Sequence, residues 1–222
     1  MFDHSSGKHL KVDDANIYYE VLGKDNAPVL LFLHGGMNTM ELFNVLLQEL
    51  PQDFPYRLIA IDSRGHGKST LGEQELSYEL LQNEVEKILE HLKIHELSIV
   101  GFSNGGKIAY RLAAFTDLEI DKIITISSPW HSKYLEPLFP MFKDIPLEAW
   151  IQQCPEDYEV YQSVNPEPNI KKAFEKIQKM ALDTSAKSRP NDAVKNISCD
   201  VLAIRGENDP FVPEESMDAF CK

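Results

Sequence analysis

The sequence has few cysteines, no excess of positive charge and no long hydrophobic run. Its three cysteines, Cys154, Cys199 and Cys221, are widely spaced and form no C-x-x-C. An odd, scattered set of this kind supplies neither a disulfide framework nor a zinc site. Lys and Arg number 22 against 35 Asp and Glu, a formal net charge of −13. A nucleic acid or an anionic membrane needs a basic face, so neither is an expected partner. The longest apolar runs, such as Val29 to Leu33, fall far short of the roughly 20 residues that span a bilayer. The first ten residues, Met1 to Leu10, are polar and lack the apolar stretch of a signal peptide. What remains is a cytoplasmic globular protein, with 222 residues and 43% hydrophobic content, enough for one sizeable core.

Short apolar runs alternate with helical patterns. Lys8 to Val12 and Ile17 to Leu22 read as a hairpin of strands, the second rich in β-branched and aromatic residues. Val29 to Leu33, Arg57 to Ile61, Leu97 to Gly101, Lys122 to Ser127 and Asp200 to Gly206 read as further strands. The continuously apolar ones suit burial on both faces. Glu41 to Leu50 reads as helical. Leu81, Val85, Ile88 and Leu92 recur at helical spacing behind Ser77, a candidate N-cap. A second amphipathic helix carries Ile108, Ala109, Leu112 and Ala113. Such alternation predicts an α/β fold, with a mostly parallel sheet and helices on both faces.

Residues 128–198 break the rhythm: no convincing strand, several prolines, and helical pieces at Leu147 to Gln153 and Asn169 to Leu182. An insertion of this length reads as a helical cap or lid. The expected organisation is a core over residues 1–127, a cap over 128–198, and the rest of the core over 199–222.

The most informative segment is Gly101-Phe102-Ser103-Asn104-Gly105-Gly106. It matches G-x-S-x-G between a strand and a helix, the context in which a serine stands exposed on a strained turn above a sheet. The N–H of Asn104, at the helix start, then faces the oxygen of an attacked carbonyl, where the helix dipole favours negative charge. A phosphate-binding loop is the rival reading, since Gly101 to Lys107 also spells G-x-x-x-x-G-K. That loop needs Ser or Thr next, and Ile108 follows. Gly67-Lys68-Ser69 fails in turn, because Asp62 stands where the first glycine belongs.

Three more turns follow strands: His34-Gly35-Gly36-Met37, Asp62-Ser63-Arg64-Gly65-His66-Gly67-Lys68-Ser69, and Gly206-Glu207-Asn208-Asp209-Pro210-Phe211-Val212-Pro213. In this order the four segments resemble the α/β-hydrolase superfamily, in its branch of cap-bearing esterases and lactonases. The resemblance runs from Lys8 to the end. It implies that Ser103 is the nucleophile, that Asp209 is the acid orienting a histidine, and that 128–198 forms the cap. It also implies that the second oxyanion N–H comes from Gly36, or failing that from Met37. His34 and His66 are read as structural.

The sequence departs from the family in one respect. Family order is Ser, acid, His, and on average element lengths the histidine should follow Asp209 by roughly 20 residues. The seven histidines, His4, His9, His34, His66, His91, His95 and His131, all precede it. The expectation is therefore a C-terminally truncated member whose final helix and strand are missing. His131, at the end of a strand, is the candidate substitute, while His91 and His95, at a helix end where a cation suits the dipole, read as structural. Asp62 with His34 and His66 has no metal-ligand spacing, so no metal and no cofactor are expected. Leu138, Phe139, Met141, Phe142 and Trp150 are candidates for an apolar pocket entrance. The helix face of Ile170, Phe174, Ile177 and Ala181 is assigned to packing. The leading reading is a serine hydrolase of a small-molecule acyl substrate, an ester or lactone. The alternative is a catalytically inactive binding protein on the same fold.

Overall fold

The computed structural model describes residues 1–221. Strands β1 (Lys8–Val12), β2 (Ala15–Leu22), β3 (Val29–Leu33), β4 (Arg57–Ile61), β5 (Glu96–Phe102), β6 (Glu119–Ile126) and β7 (Asp200–Ile204) form one sheet, in the order β1-β2-β4-β3-β5-β6-β7. The β1–β2 and β2–β4 pairs are antiparallel, and every pair from β4 through β7 is parallel. The expected mostly parallel α/β sheet is thus present.

Helices α2 (Tyr78–Leu92) and α3 (Asn104–Phe115) cover one face of the sheet. Ser77 caps α2 as its sequence position suggests, its Oγ accepting from the Leu80 N–H at 3.1 Å. Leu81, Val85 and Ile88 of α2 meet Ile108 and Leu112 of α3 over Leu31, Ile59 and Ile99 of the sheet. The opposite face is covered more thinly. Phe2, Met40 and Phe43 pack there on Phe32, Ala60 and Val100. The segment read as one helix over Glu41 to Leu50 is a 3-10 turn, Met40–Phe43, followed by the single-turn α1 (Asn44–Leu47). Too few core contacts reach it to propagate a longer helix. At the far edge, β7 pairs only with β6 among the described residues, and its Leu202 and Ile204 side chains are exposed.

Residues 128–198 fold as short 3-10 turns with α4 (Phe139–Lys143), α5 (Leu147–Gln153), α6 (Pro155–Val164) and α7 (Ile170–Leu182). Asn169 caps α7 through Lys172 N–H. The segment is tied down at specific points. Asn165 Nδ2 donates to the carbonyls of Gly67 and Ser69. Arg111 donates to Gln82 and to the carbonyls of Ala186 and Ser188. After β7 a helix does form, α8 (Glu214–Phe220), where the sequence reading expected the helix to be missing; it lies against Trp130, whose indole N–H donates to the Ser216 carbonyl at 2.9 Å.

The N-terminal tail is held by buried charge. His4 Nε2 lies 2.8 Å from Asp62, and its Nδ1 lies 2.6 Å from Glu41. Asp62 is fully buried and also accepts from the N–H groups of Met40 and Lys68. Arg64, likewise fully buried, is paired with Glu84 and Asp14.

Candidate active site

The parallel strands deliver their C-terminal ends to one side of the sheet, where α/β folds build sites. Ser103 sits between β5 and α3 with φ 49° and ψ −109°, a left-handed backbone that a non-glycine residue adopts only when its surroundings hold it there. The local packing supplies that hold. The Ser103 N–H donates to the Ile126 carbonyl at 2.8 Å, and the Ser103 carbonyl accepts from Ser128 Oγ at 2.8 Å. A Cβ on Gly105 would overlap the Leu33 carbonyl, so α3 can approach β3 this closely only with glycine there. The same arrangement recurs one strand over. Ser127, at φ 51°, donates its N–H to the Ile204 carbonyl at 2.8 Å.

Gly36 comes directly against this turn, and a Cβ on it would lie 2.7 Å from Asn104 Nδ2. Gly36, Met37, Ser103 and Asn104 line one cavity of about 270 Å³. Among the described residues, the backbone N–H groups of Gly36 and Asn104 donate to no protein acceptor. Asn104 is itself fixed from behind: Tyr78 Oη donates to its Oδ1 at 2.8 Å, and Lys107 Nζ donates to the same oxygen at 2.9 Å.

His34 pins the loop that carries Gly36. Its Nε2 accepts from the Ser63 N–H at 2.9 Å while its Nδ1 faces the Gly35 carbonyl at 2.7 Å. The ring is therefore neutral with its proton on Nδ1, and burial lowers its pKa below the ordinary histidine value. His66 lies 5.0 Å from His34, ring to ring, and burial pushes it down to about 4. Neither imidazole is on the cavity lining.

Asp209 stands after β7, across a crevice that Ser103 and Ser127 also line. Its Oδ1 accepts from the N–H groups of Phe211 and Val212 at 2.8 and 3.2 Å. Its Oδ2 is buried and has no partner among the described residues. The structure thus brings Ser103, Gly36, Asn104 and Met37 together, with Asp209 at the neighbouring crevice. His131 is not brought there. Its Nδ1 caps a 3-10 turn through the Lys133 N–H, its Nε2 faces Asp192 at 3.6 Å, and its ring packs on Trp130.

Two details of the cavity differ from the sequence reading. Phe142 and Trp150 do line it, but Leu138, Phe139 and Met141 do not, and Met141 is exposed. Conversely, Phe174, Ile177 and Ala181 of α7, assigned to packing, form part of its wall. One helix face does both, because the cavity lies directly under α7. Lys107 and Arg189 are also on the lining. The sequence presents the first as part of a failed phosphate loop and gives no local signal for the second. The phosphate-loop rival finds no support in the geometry: Lys107 Nζ bonds Tyr78 and Asn104, and Lys68 Nζ bonds the His4 carbonyl.

The strained Ser103 thus stands on a strand-to-helix turn, with free N–H groups beside it and the Asp209 carboxylate after β7. The family model of the alpha/beta hydrolase fold matches residues 28–147, and the chain belongs to that family. Among curated relatives, a putative esterase/lipase of Haemophilus influenzae is 28% identical over 128 residues, which is 56% of this chain and 44% of the relative. The mouse protein named epoxide hydrolase 4 is 30% identical over 140 residues, 60% of this chain and 38% of that protein. The chain spans half or less of the length of these curated relatives. Among solved structures, a carboxylesterase from the thaumarchaeon Nitrososphaera gargenis superposes with a TM-score of 0.72 at 21% identity, over 96% of this chain and 86% of that one. At that identity the likeness establishes the fold.

Proposed function

We propose that this chain carries the nucleophile, oxyanion hole and acid of a serine hydrolase that acts on a small ester, lactone or related acyl substrate. The observation that carries the reading is Ser103 held at φ 49° beside the undonated N–H groups of Gly36 and Asn104. Strain at one residue is expected where the chain must present a group in one orientation.

In this reading Ser103 Oγ attacks the carbonyl carbon from the cavity floor. The developing oxyanion takes hydrogen bonds from the two backbone N–H groups, which need no reorganisation because Tyr78 and Lys107 fix Asn104 and His34 fixes the Gly36 loop. Deprotonation of Ser103 needs an imidazole seated in the crevice between Ser103 and Asp209. The unpartnered Asp209 Oδ2 would accept from its Nδ1–H, as the acid of a triad does. No histidine of the described residues occupies that place. The cavity walls of Phe142, Trp150, Phe174 and Ile177 suit an apolar acyl or alcohol portion.

The test is labelling with a fluorophosphonate probe, with and without added imidazole. Labelling that rises with imidazole and vanishes in Ser103→Ala supports the reading. A folded chain that takes no label under either condition overturns it and favours a binding role for the same cavity.

A further inference from the structure

The chain carries a formal charge of −13, yet no acidic side chain lines the cavity beside Ser103. The charge-bearing groups there are Lys107 and Arg189, with 6% and 2% of their surfaces exposed. Both lie against the Tyr78 ring, 5.1 and 5.7 Å from its centroid. Neither makes a salt bridge among the described residues. Lys107 Nζ donates to Tyr78 Oη at 3.0 Å and to Asn104 Oδ1 at 2.9 Å. Arg189 donates to the carbonyls of Ala181 and Asp183 and to Ser188 Oγ, while its Nε, also buried, donates to nothing.

Two buried basic groups on one cavity wall, with no carboxylate at ion-pair distance, are costly to the folded protein, and Asp183 and Glu136 act on Arg189 only from farther off. Burial, and next the Arg189 charge, push the Lys107 ammonium well below the ordinary lysine range. Elsewhere in the molecule the same problem is solved with carboxylates: Arg64 is as buried as Arg189 and has both Glu84 and Asp14. At the cavity, among the described residues, no carboxylate lines the wall.

We infer that Lys107 and Arg189 form an anion subsite and that the acyl substrate carries a carboxylate, which provides the countercharge when bound. This rests on the hydrolase reading above and names the substrate class for the same cavity. Lys107 Nζ reaches back to within 2.9 Å of the Oδ1 of Asn104, the residue next to Ser103, so a short carbon chain separates the carboxylate from the scissile carbonyl. A guanidinium and an ammonium together suit a carboxylate's two oxygens. A rival use of Lys107, as the base for Ser103, fits the contacts less well, because Nζ is engaged by Tyr78 and Asn104.

The experiment is calorimetric titration of the whole chain with monomethyl glutarate, with dimethyl glutarate as the neutral analogue and inorganic phosphate as a second anion. Fluorophosphonate labelling is run on the same preparations. The expected result is about tenfold or more tighter binding of the monoester than of the diester. That preference should collapse in Lys107→Met and weaken in Arg189→Lys. The wild-type preference is itself decisive, so a variant that fails to fold leaves the test intact. Equal binding of monoester and diester overturns the subsite. Binding of phosphate but not of the monoester overturns the carboxylate assignment. Monoester binding unchanged in a folded Lys107→Met also overturns it, whatever happens to labelling. Labelling without carboxylate preference leaves the hydrolase reading standing and removes the subsite. Carboxylate preference without labelling supports the subsite and removes the hydrolase reading.

Discussion

Replacing His4 by glutamine should change how stability depends on pH, by an amount set by the site itself. Burial alone would lower the His4 pKa, but the hydrogen bonds and charges of Asp62 and Glu41 outweigh it and hold the value at about 9, against 6.5 for a free histidine. That gap, at about 1.36 kcal/mol per unit, corresponds to about 3 kcal/mol. Because the folded-state pKa is the higher one, the contribution is fully present below 6.5 and is lost as pH rises through about 9. The assay is urea unfolding of both proteins from about pH 6 to about pH 10, read as the stability difference at each pH. Titration of groups elsewhere then largely cancels, since both proteins share them. The difference should be largest at the acid end and shrink toward zero at the alkaline end. A difference that stays flat across the range would refute the reasoning, because it would mean that His4 is not protonated in the fold.

Other outcomes follow from named contacts. Gly105→Ala should destabilise by about 1–3 kcal/mol through overpacking against the Leu33 carbonyl, read by thermal unfolding, and should lower Ser103 labelling more than any equally destabilising surface change. Asn165→Ala removes two donors from the buried carbonyls of Gly67 and Ser69 and should cost about 1–3 kcal/mol, with faster hydrogen exchange in α6 and α7. Leu202→Lys, on the exposed face of the edge strand, should leave the unfolding midpoint within about 0.5 kcal/mol of wild type while reducing light scattering on heating.

Strands were legible because their signal is local. The apolar runs Val29–Leu33 and Arg57–Ile61 are the observed β3 and β4 residue for residue. The turn around Ser103 was legible for the same reason, since a glycine-flanked serine between strand and helix constrains its own backbone. The helices of residues 128–198 are legible only in part. Pro155–Val164 is helical in the structure, its proline at the first helical position where a missing N–H costs nothing. The polar half of the cavity was the least legible. Lys107 is ordinary in its heptapeptide, and Arg189 sits in a loop. Their burial and proximity exist only once α7 and residues 183–190 close over α3, a contact between segments far apart in sequence. Asp209 was found by motif, but its unpartnered oxygen is a property of packing that no motif reports.

The turns at the ends of β5 and β6 are linked in series. Ser103 hangs by its N–H from the last carbonyl of β6, and Ser127 hangs by its N–H from the last carbonyl of β7. The position of the Ser103 hydroxyl is therefore referenced, step by step, to a strand that has a neighbour on one side only among the described residues. Edge elements open locally at lower free energy than central ones. Each excursion of β7 from β6 removes the anchor of Ser127, and with it the rigidity of the rung that holds Ser103. The tolerance to which this protein aims its serine is set at the rim of the sheet, and whatever steadies β7 also sharpens that aim.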